Sequence, residues 1–572
     1  MDNQKRTFLW IALGGISFFL ITRWFEFNAP KIDPNAPELI AHQTNQAVPH
    51  LNVPTLNNMN IPGNPNLENA SNLAEPNKPQ LVHVKTDVLD VYINTLGGDI
   101  TQAGLITYPK ELGDKNEPFS LLADNNMQHF VSQTGLVIEK NSVNQSVPNY
   151  LNAVFSAAKN EYILEDGADT LAIPLTWTDN QGLTTTKTYT FKRGQFGIDY
   201  TNHIDNQSNN TWIGYEYRQL SQTEPPSKTG MMMASSYTGA VFSLPSQGIN
   251  YEKETFKNIK SANVLDEDAK KKRNEKYMGK GGWISMIQHY FIAAWAPDQD
   301  ETHLIYTYSF NQQNLTYYVI GVRSMPLTIA AGTAHTFKNT LYLGPKIQEN
   351  LKVIAPKLEL TVDFGWLSFI SNLLFILLVK FHGLIGNWGW SIMLVTLTVK
   401  ACLYWFAAKG FTSMARMRKF SPELQRLKEQ YGDDKQKLNQ EMMALYRKEK
   451  INPMSGCWPM LIQIPVFISL YWMLMESVEL RQAPWALWIY DLSVMDPYYV
   501  LPLIMGATMF IQQSLNPAPP DPMQAKIMKW MPVMFTFMFL WFPAGLVLYW
   551  IVNNTLSIIQ QWFITKRIEA KN

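Results

Sequence analysis

The second half of the chain contains six apolar segments, and they restrict the fold more than any other feature of the sequence. The segments cover residues 366–381, 388–408, 458–475, 498–515, 527–542 and 545–563. Their lengths are close to the roughly 20 residues that a helix needs to cross a bilayer. Residues up to about 345 are mostly polar apart from one early apolar run. The chain is therefore predicted to join a water-facing half to a membrane half.

The distribution of charge predicts which of these segments cross the membrane. Region 409–450 contains eleven Lys and Arg residues and the tail over 566–572 contains three, whereas the loop over 476–496 has four acids and one Arg. Because cytoplasmic loops are enriched in Lys and Arg, both basic regions and both termini are expected in the cytoplasm, and the acidic loop outside. Only one of the first two segments then crosses. We assign the crossing to 388–408 and predict that 366–381 is an amphipathic helix on the outer surface.

The first 345 residues are predicted to contain an anchor, a linker and a β domain. Lys5 and Arg6 precede an apolar run over 7–22, and no small-x-small cleavage site follows, so an uncleaved signal-anchor is favoured over a cleaved signal peptide. The Asn- and Pro-rich stretch that follows is typical of a disordered linker. Alternating apolar residues and turn signals from about 80 to 345 predict a large antiparallel sandwich. Its basic patch, Lys270 to Arg273, is interpreted as an exposed loop.

Lys400 is predicted to place a charge deep inside a span. It lies eight residues before the end of the 388–408 segment, which is ~12 Å at about 1.5 Å per residue. A charge in the bilayer costs roughly 2.5–3.5 kcal/mol on insertion scales, so such residues usually face a polar cavity or an acidic partner. None of the five predicted core spans contains Asp or Glu. A hydrated cavity is therefore the favoured environment of Lys400.

Other polar side chains in the spans predict a groove around this lysine. Thr396 lies one turn before Lys400 on the same helix face. The remaining polar residues within the spans include Gln463, Gln512, Gln513, Asn553, Asn554 and Thr555. Each alone is explained by hydrogen bonds between helices. Together they suit a wet groove that attracts an acidic or polar segment of a translocating chain.

Residues 412–450 are predicted to form a cytoplasmic helical hairpin. Apolar residues recur three or four positions apart in both arms, and Gly432, Asp433 and Asp434 between them indicate a helix stop and a cap. Methionine is flexible and suits varied apolar partners, although simple packing is the commoner role of a Met stripe. The candidate contacts for substrates or partners are Met414, Met417, Met442 and Met443.

Net charge and cysteine content exclude several function classes. A net charge of +1 argues against a general nucleic-acid binder. Cys402 and Cys457, the only cysteines, have no His or Cys neighbours at metal-ligand spacing and are predicted to be small buried hydrophobes. We therefore expect no metal, no cofactor and no specific nucleic-acid partner.

Ordered motifs along most of the chain resemble those of the YidC/Oxa/Alb insertases. In the membrane half they are TLTVK (396–400), YGDDK (431–435), EMMALY (441–446), NP (452–453), LIQIP (461–465) and WFPAGLVLY (541–549). In the β region, DVLD (87–90), INTLGG (93–98) and GGW (281–283) are similar to the large periplasmic domain of the Gram-negative members.

The resemblance implies an insertase and chaperone of the Gram-negative inner membrane, not an enzyme. It implies a five-helix core with a groove open to cytoplasm and lipid, lined here by Lys400, Thr396, Gln463, Pro465, Gln512, Tyr549, Trp550 and Asn553. The implied partners are nascent membrane proteins, the Sec translocon with its accessory subunits, the ribosome and membrane lipids, with the signal recognition particle and its receptor as further candidates. The family usually has Arg where this chain has Lys400, and commonly a second Tyr where it has Trp550.

The predicted fold class is a polytopic α-helical membrane protein with six transmembrane helices, five of them forming the core, and a large periplasmic antiparallel β-sandwich domain. The expected divisions are an anchor helix (1–25), a linker (26–79), the β domain (80–345), a linker with the interfacial helix (346–386), transmembrane helix 2 (387–408), the hairpin (409–456), helix 3 (457–476), a periplasmic loop (477–497), helix 4 (498–515), a cytoplasmic loop (516–526), helix 5 (527–542), helix 6 (543–565) and a cytoplasmic tail (566–572).

Two other classes of function, a transporter or channel and a carbohydrate enzyme, are alternatives for a chain with this organisation. A secondary transporter or channel is disfavoured because the spans have no carboxylates and the sequence shows no internal repeat. A membrane-tethered carbohydrate enzyme would need paired carboxylates or a histidine pair, and no arrangement in the β region identifies one from sequence.

Overall fold

A computed structural model describes residues 79–570, apart from 115–116, 126–127, 139–152, 226–235, 313–314, 432–433, 449–457 and 517–521. The predicted anchor over 1–25 and all but the last residue of the predicted linker over 26–79 lie outside the described residues. The remaining chain divides into a β domain followed by helices.

In the part of the β domain that the structure describes there are twenty strands. They are β1 (Leu81–Lys85), β2 (Leu89–Asn94), β3 (Asp99–Pro109), β4 (Pro118–Asp124), β5 (His129–Ile138), β6 (Ser156–Ala157), β7 (Glu161–Ile163), β8 (Thr170–Thr178), β9 (Leu183–Lys192), β10 (Gly197–Asn206), β11 (Trp212–Thr223), β12 (Thr238–Leu244), β13 (Ile249–Glu254), β14 (Met278–Lys280), β15 (Trp283–Gln288), β16 (Phe291–Pro297), β17 (Thr302–Gln312), β18 (Leu315–Ser324), β19 (Leu327–Ile329) and β20 (Thr333–Pro345).

The strands form two sheets. One has the order β14-β17-β18-β11-β5-β4-β3-β2-β1-β7 with β19 beside β11, and the other has the order β13-β12-β15-β16-β20-β10-β9-β8-β6. All pairings are antiparallel except β1 with β7, which is parallel. The prediction of a large, mainly antiparallel β domain is confirmed.

Alternation along the strands explains how the two sheets pack. In β9 every second residue is buried, from Leu183 to Phe191, as expected for a strand with one face on the core. The inward face of β9 includes Lys187, whose ammonium donates hydrogen bonds to the Gly97 carbonyl and to both oxygens of Thr134. Burial lowers the pKa of Lys187 to about 8.

The basic patch at Lys270 to Arg273 is helical, so the prediction of a loop was wrong. It lies in α2 (Glu267–Lys276), which follows the short helix α1 (Phe256–Ala262). The Asp266 side chain accepts a hydrogen bond from the Ala269 amide and caps the first turn. Acids in the first turn and bases in the last also suit the helix dipole.

The second half of the described chain is helical. Its helices are α3 (Gln348–Ile354), α4 (Ser368–Ile385), α5 (Trp388–Cys402), α6 (Tyr404–Lys419), α7 (Ser421–Tyr431), α8 (Lys435–Lys448), α9 (Trp458–Glu476), α10 (Val500–Leu515), α11 (Pro522–Phe539) and α12 (Ala544–Glu569).

The segment over 388–408 is not one continuous helix. Helix α5 ends at Cys402, and α6 leaves it at an angle of 68°. Lys400 is therefore two residues from the end of its helix, about 3 Å at 1.5 Å per residue, and not eight residues from it. The expectation that Lys400 lies well inside a continuous helix was wrong.

Helix α4 is the only helix in the described residues that is by itself long and apolar enough to cross a membrane by length and composition. It has 18 residues with a mean hydropathy of 1.8, and the pair α5–α6 passes the same test only as a bent unit. On α4, Ser371, Leu374 and Leu378 are buried against the protein, whereas Phe369 and Leu373 point outwards. Its assignment as an interfacial helix rests on the charge argument and stays a prediction.

The first arm of the predicted hairpin is broken. Helix α6 ends at Lys419 and α7 begins at Ser421, so the repeat from Met414 to Tyr431 is shared between two helices. Pro422 explains the break, because it has no amide hydrogen to donate to the Arg418 carbonyl four residues earlier and is tolerated in the first turn of a new helix. The Asp434 carboxylate caps α8 by accepting hydrogen bonds from the backbone amides of Gln436 and Lys437. Gly432 and Asp433 lie outside the described residues.

Buried polar contacts hold the β domain against the end of α9. The Lys346 ammonium lies 2.8 Å from the Glu476 carboxylate, and both side chains are buried. His289 hydrogen-bonds the Met475 carbonyl at 2.9 Å, and Arg481 donates to the Pro109 carbonyl at 2.7 Å. The β domain and the acidic loop after α9 therefore lie on the same side of the helices.

Candidate functional site

Lys400 reaches across from α5 to α12. Its ammonium donates a hydrogen bond to the Ser557 hydroxyl at 2.8 Å, and the Ser557 hydroxyl donates to the Asn553 carbonyl at 2.7 Å. Lys400 is half-buried, whereas Ser557 and Asn553 are buried. A cation is thus held between two helices by neutral oxygens.

A buried polar stripe on α12 extends on both sides of this contact. Asn553, Asn554, Ser557, Gln560 and Gln561 recur three or four positions apart, which places them along one side of the helix. The amide groups of the stripe donate hydrogen bonds to the neighbouring helices α6 and α10. The acceptors are the Thr508 hydroxyl for Asn554, the Tyr404 carbonyl for Gln560 and the Leu515 carbonyl for Gln561. Within the described residues, the amide oxygen of Asn553 has no hydrogen-bond partner.

Gln463 and Tyr549 join α9 to α12. The Gln463 amide donates a hydrogen bond to the Tyr549 hydroxyl, and Tyr549 is buried. Trp550 lies in an aromatic cluster, with its ring 4.7 Å from that of Phe467 in a T-shaped arrangement. Pro465 lies inside α9 between these contacts. Three predicted groove residues, Gln463, Pro465 and Tyr549, are therefore close together, and Trp550 serves packing.

Two predicted groove residues have other surroundings. Thr396 is buried, and its hydroxyl donates to the Ile392 carbonyl of its own helix at 2.7 Å. It therefore presents no free hydroxyl beside Lys400. Gln512 lies half-buried on α10. The hydrogen bonds to α12 are made instead by Thr508 and Leu515 on α10 and by Asn516 directly after it.

The predicted methionine contacts lie on two different helices. Met414 and Met417 are half-buried on α6, and Met442 is half-buried on α8. Met443 is 46% exposed. Only Met443 thus presents a large apolar surface outwards.

The charge of Lys400 has no acidic partner in the described part of the helical region. Helices α5, α10 and α11 contain no Asp or Glu, and the only acids of α9 and α12 are Glu476 and Glu569 at their ends. The ion pairs recorded for the described residues do not include Lys400. The cluster therefore keeps a positive charge that a substrate carboxylate can meet.

Ser557 is the partner of Lys400 that sequence reasoning missed. A signal for it exists, since it follows Asn553 by one turn and precedes Gln561 by one turn on the same helix side. The signal is weak because single hydroxyls are common in spans, where they bond to their own helix. The prediction of a buried Cys402 was also wrong, because its side chain is exposed at the end of α5; Cys457 lies outside the described residues.

Comparisons with known proteins identify the family of the chain. A family model described as YidC periplasmic domain matches residues 81–377, and one described as 60Kd inner membrane protein matches 380–571. A membrane protein insertase YidC of Methylococcus capsulatus is 49% identical over 489 residues, which cover 85% of this chain and 86% of the relative. The chain belongs to the YidC family of membrane protein insertases. A Pseudomonas syringae pv. syringae insertase YidC is 43% identical over 582 residues, covering 99% of this chain and 98% of that protein.

A solved structure of an active YidC insertase with its first transmembrane domain resolved is also similar. It is 16% identical, covers 85% of this chain and 92% of its own, and has a TM-score of 0.37.

Family membership confirms the expected class of function. The chain is a non-enzymatic membrane protein insertase of the inner membrane with a large periplasmic β domain, and it binds nascent membrane proteins.

Proposed function

We propose that the side chains around Lys400 form the polar groove through which a hydrophilic segment of a nascent membrane protein enters the bilayer. The supporting observation is the Lys400 ammonium, which is half-buried and held at 2.8 Å by the neutral Ser557 hydroxyl. An acidic segment of a substrate supplies the carboxylate that this part of the chain lacks. The positive charge lowers the free-energy cost of bringing that segment to the level of α5 and α12.

Lys400 acts in this proposal by its charge and not by a fixed hydrogen-bond geometry. Its recorded side-chain hydrogen bond is to one oxygen, which an ammonium makes as readily as a guanidinium. Lys400→Arg therefore keeps the function, and Lys400→Ala loses it. Ser557→Ala removes the contact that holds the ammonium but leaves the charge, so it weakens insertion less than Lys400→Ala.

The test is insertion of a single-span protein with an acidic N-terminal tail into proteoliposomes that contain the full-length chain. Lys400→Arg and Lys400→Ala are compared with the wild type and with Lys529→Ala, which removes an exposed lysine from α11 and serves as the matched control. A second substrate with a neutral tail shows whether the defect depends on the substrate charge.

The proposal expects Lys400→Ala to fail with the acidic tail and to recover with the neutral tail, while Lys400→Arg and Lys529→Ala resemble the wild type. Equal insertion by Lys400→Ala and the wild type would refute the charged groove. The chain would remain an insertase, and the apolar surfaces would then have to account for insertion.

The finer topology and partners belong to the same proposal. Six crossings place both termini in the cytoplasm, with α4 along the periplasmic surface. The exposed Met443 on α8 contacts apolar substrate segments, with Met414, Met417 and Met442 lining the cytoplasmic approach. The Sec translocon, the ribosome and the signal recognition particle are the proposed assemblies that deliver these substrates.

A further inference from the structure

Two tryptophans on neighbouring helices each have a lysine above the ring. The Lys409 ammonium lies 3.5 Å from the centre of the Trp405 ring, and the Lys566 ammonium lies 4.8 Å from that of Trp562. In both pairs the lysine follows the tryptophan by four residues, so ring and ammonium share one helix face. Trp405 is 59% exposed and Trp562 is 47% exposed. Neither ring is covered by the protein to the extent expected of a packing residue.

The two tryptophans lie at the same level of the helix bundle. Lys400 bonds to Ser557, 157 residues later, and the Tyr404 carbonyl accepts from Gln560, 156 residues later. Trp405 and Trp562 are also 157 residues apart and directly follow these contacts in the chain. Because α6 packs against α12 here, the same register brings both rings to one depth. On α12, Trp562 lies five residues beyond Ser557, the residue that contacts Lys400.

The surroundings of both pairs are apolar and basic. Phe406 and Phe563 are exposed beside the tryptophans. No Asp or Glu occurs between residues 398 and 422 or between 545 and 568. Exposed aromatic rings at one level with lysines one turn further on are the pattern of a membrane–water interface.

We propose that the pairs Trp405–Lys409 and Trp562–Lys566 bind the phosphate headgroups of anionic phospholipids in the cytoplasmic leaflet. Each ring occupies the boundary between acyl chains and headgroups, where its apolar face leaves water. Each ammonium has one side on the ring and keeps other N–H groups for a phosphate oxygen. A lipid fits better than ribosomal RNA because the exposed phenylalanines need an apolar environment beside the phosphate. The bound lipids place the leaflet boundary about 7.5 Å along α12 from Ser557, the partner of Lys400, at 1.5 Å per residue over five residues.

Native mass spectrometry of the detergent-solubilised full-length protein tests this proposal. The protein is titrated separately with phosphatidylglycerol and phosphatidylcholine of identical acyl chains, and the dissociation constants of the first two bound lipids are measured. The variants are the doubles Lys409→Gln with Lys566→Gln and Lys409→Arg with Lys566→Arg. The matched control, Lys526→Gln with Lys529→Gln, loses the same charge from two exposed lysines of α11.

A lysine near an anionic membrane surface contributes roughly fivefold to binding. The double Gln variant is therefore expected to bind phosphatidylglycerol about five- to twenty-five-fold more weakly, with phosphatidylcholine unchanged. The double Arg variant and the control are expected to stay within about twofold of the wild type.

Two results would overturn the proposal. If the control loses as much affinity as the double Gln variant, the effect is one of net charge and not of a site. If the double Gln variant keeps the affinity of the wild type for phosphatidylglycerol, the lysines serve another partner such as RNA.

Discussion

The ion pair between Lys346 and Glu476 yields the sharpest prediction about how the β domain is held on the helices. The ammonium and carboxylate are 2.8 Å apart, with 2% and 6% of the side chains exposed. Replacing one member of a buried pair leaves an uncompensated charge and costs roughly 3–5 kcal/mol. Lys346→Met leaves the Glu476 carboxylate buried without its partner and is therefore expected to weaken the docking of the β domain by this amount. Loss of the other Lys346 contact, to the Thr361 carbonyl at 3.4 Å, adds little because that hydrogen bond is long.

Amide hydrogen exchange of the full-length protein in lipid nanodiscs measures this docking directly. Opening of the interface exposes amides near Lys346 and at the end of α9, and exchange from the open form reports its free energy. A loss of roughly 3–5 kcal/mol corresponds to exchange about 10²- to 4 × 10³-fold faster, at about 1.4 kcal/mol per factor of ten. The strands far from the interface are expected to keep their rates.

Two variants control for the chemistry of the change. Lys352→Met removes an ion pair with Glu349 whose side chains are 47% and 81% exposed, and exposed pairs contribute only about 0–1 kcal/mol. The double variant of Lys346→Met with Glu476→Leu removes both charges, and it is expected to recover most of the loss. Exchange in Lys346→Met that is less than about tenfold faster, or a double variant as open as the single one, would refute the reasoning.

Two further perturbations test the loop after α9 and the interior of the β domain. Burial raises the pKa of Glu479 from 4.5 to about 7, so the folded loop binds its proton more tightly than the unfolded chain does. The stability of the folded loop is then expected to fall as the pH rises from 4.5 to 7, by at most about 3 kcal/mol. Glu479→Gln should flatten this slope in exchange measured between pH 4.5 and 8, and an unchanged slope would assign it to another group. Gly321→Ala places a Cβ 2.2 Å from the Tyr306 ring and is expected to cost about 1–3 kcal/mol by overpacking. Gly383→Ala in α4 meets nothing within 4 Å and should be neutral or stabilising, so equal unfolding midpoints for both variants by tryptophan fluorescence would contradict the steric argument.

The limits of α9 and α10 could be predicted from the sequence because they depend on local signals, whereas α11 begins at Pro522, inside the segment expected as a cytoplasmic loop. Helices α9 and α10 begin and end within about two residues of the expected limits, where apolar runs meet acids, prolines or asparagine. The break at Leu403 had no such signal, because the residues around it include neither proline nor glycine until Gly410. It depends on how α6 packs against α12, which is a tertiary effect.

The candidate site was predictable in its charge but not in its contacts. Lys400, Gln463 and Asn553 can be identified from the sequence because each is a polar residue within a predicted apolar span. Which oxygen meets the ammonium depends on the register between α5 and α12, and two positions 157 residues apart leave no trace of that register in the sequence. The order of strands in the two sheets is hidden for the same reason, since β11 pairs with β5 and β18 across long separations.

Helix α9 connects the β domain to helices α4 and α12, and Pro465 divides it into an outer and an inner part. Its outer end is fixed to the β domain through Glu476 and the Met475 carbonyl. Pro465 interrupts the backbone hydrogen bonding eleven residues from that end, about 16 Å along the axis. The outer part is also bonded to α4, where the Ser371 hydroxyl donates to the Ser469 carbonyl at 3.1 Å, and the inner part is bonded to α12 through Gln463 and Tyr549. A tilt of the β domain would therefore be resisted first by α4, and its effect on the contact between Gln463 and Tyr549 would pass through the interruption at Pro465.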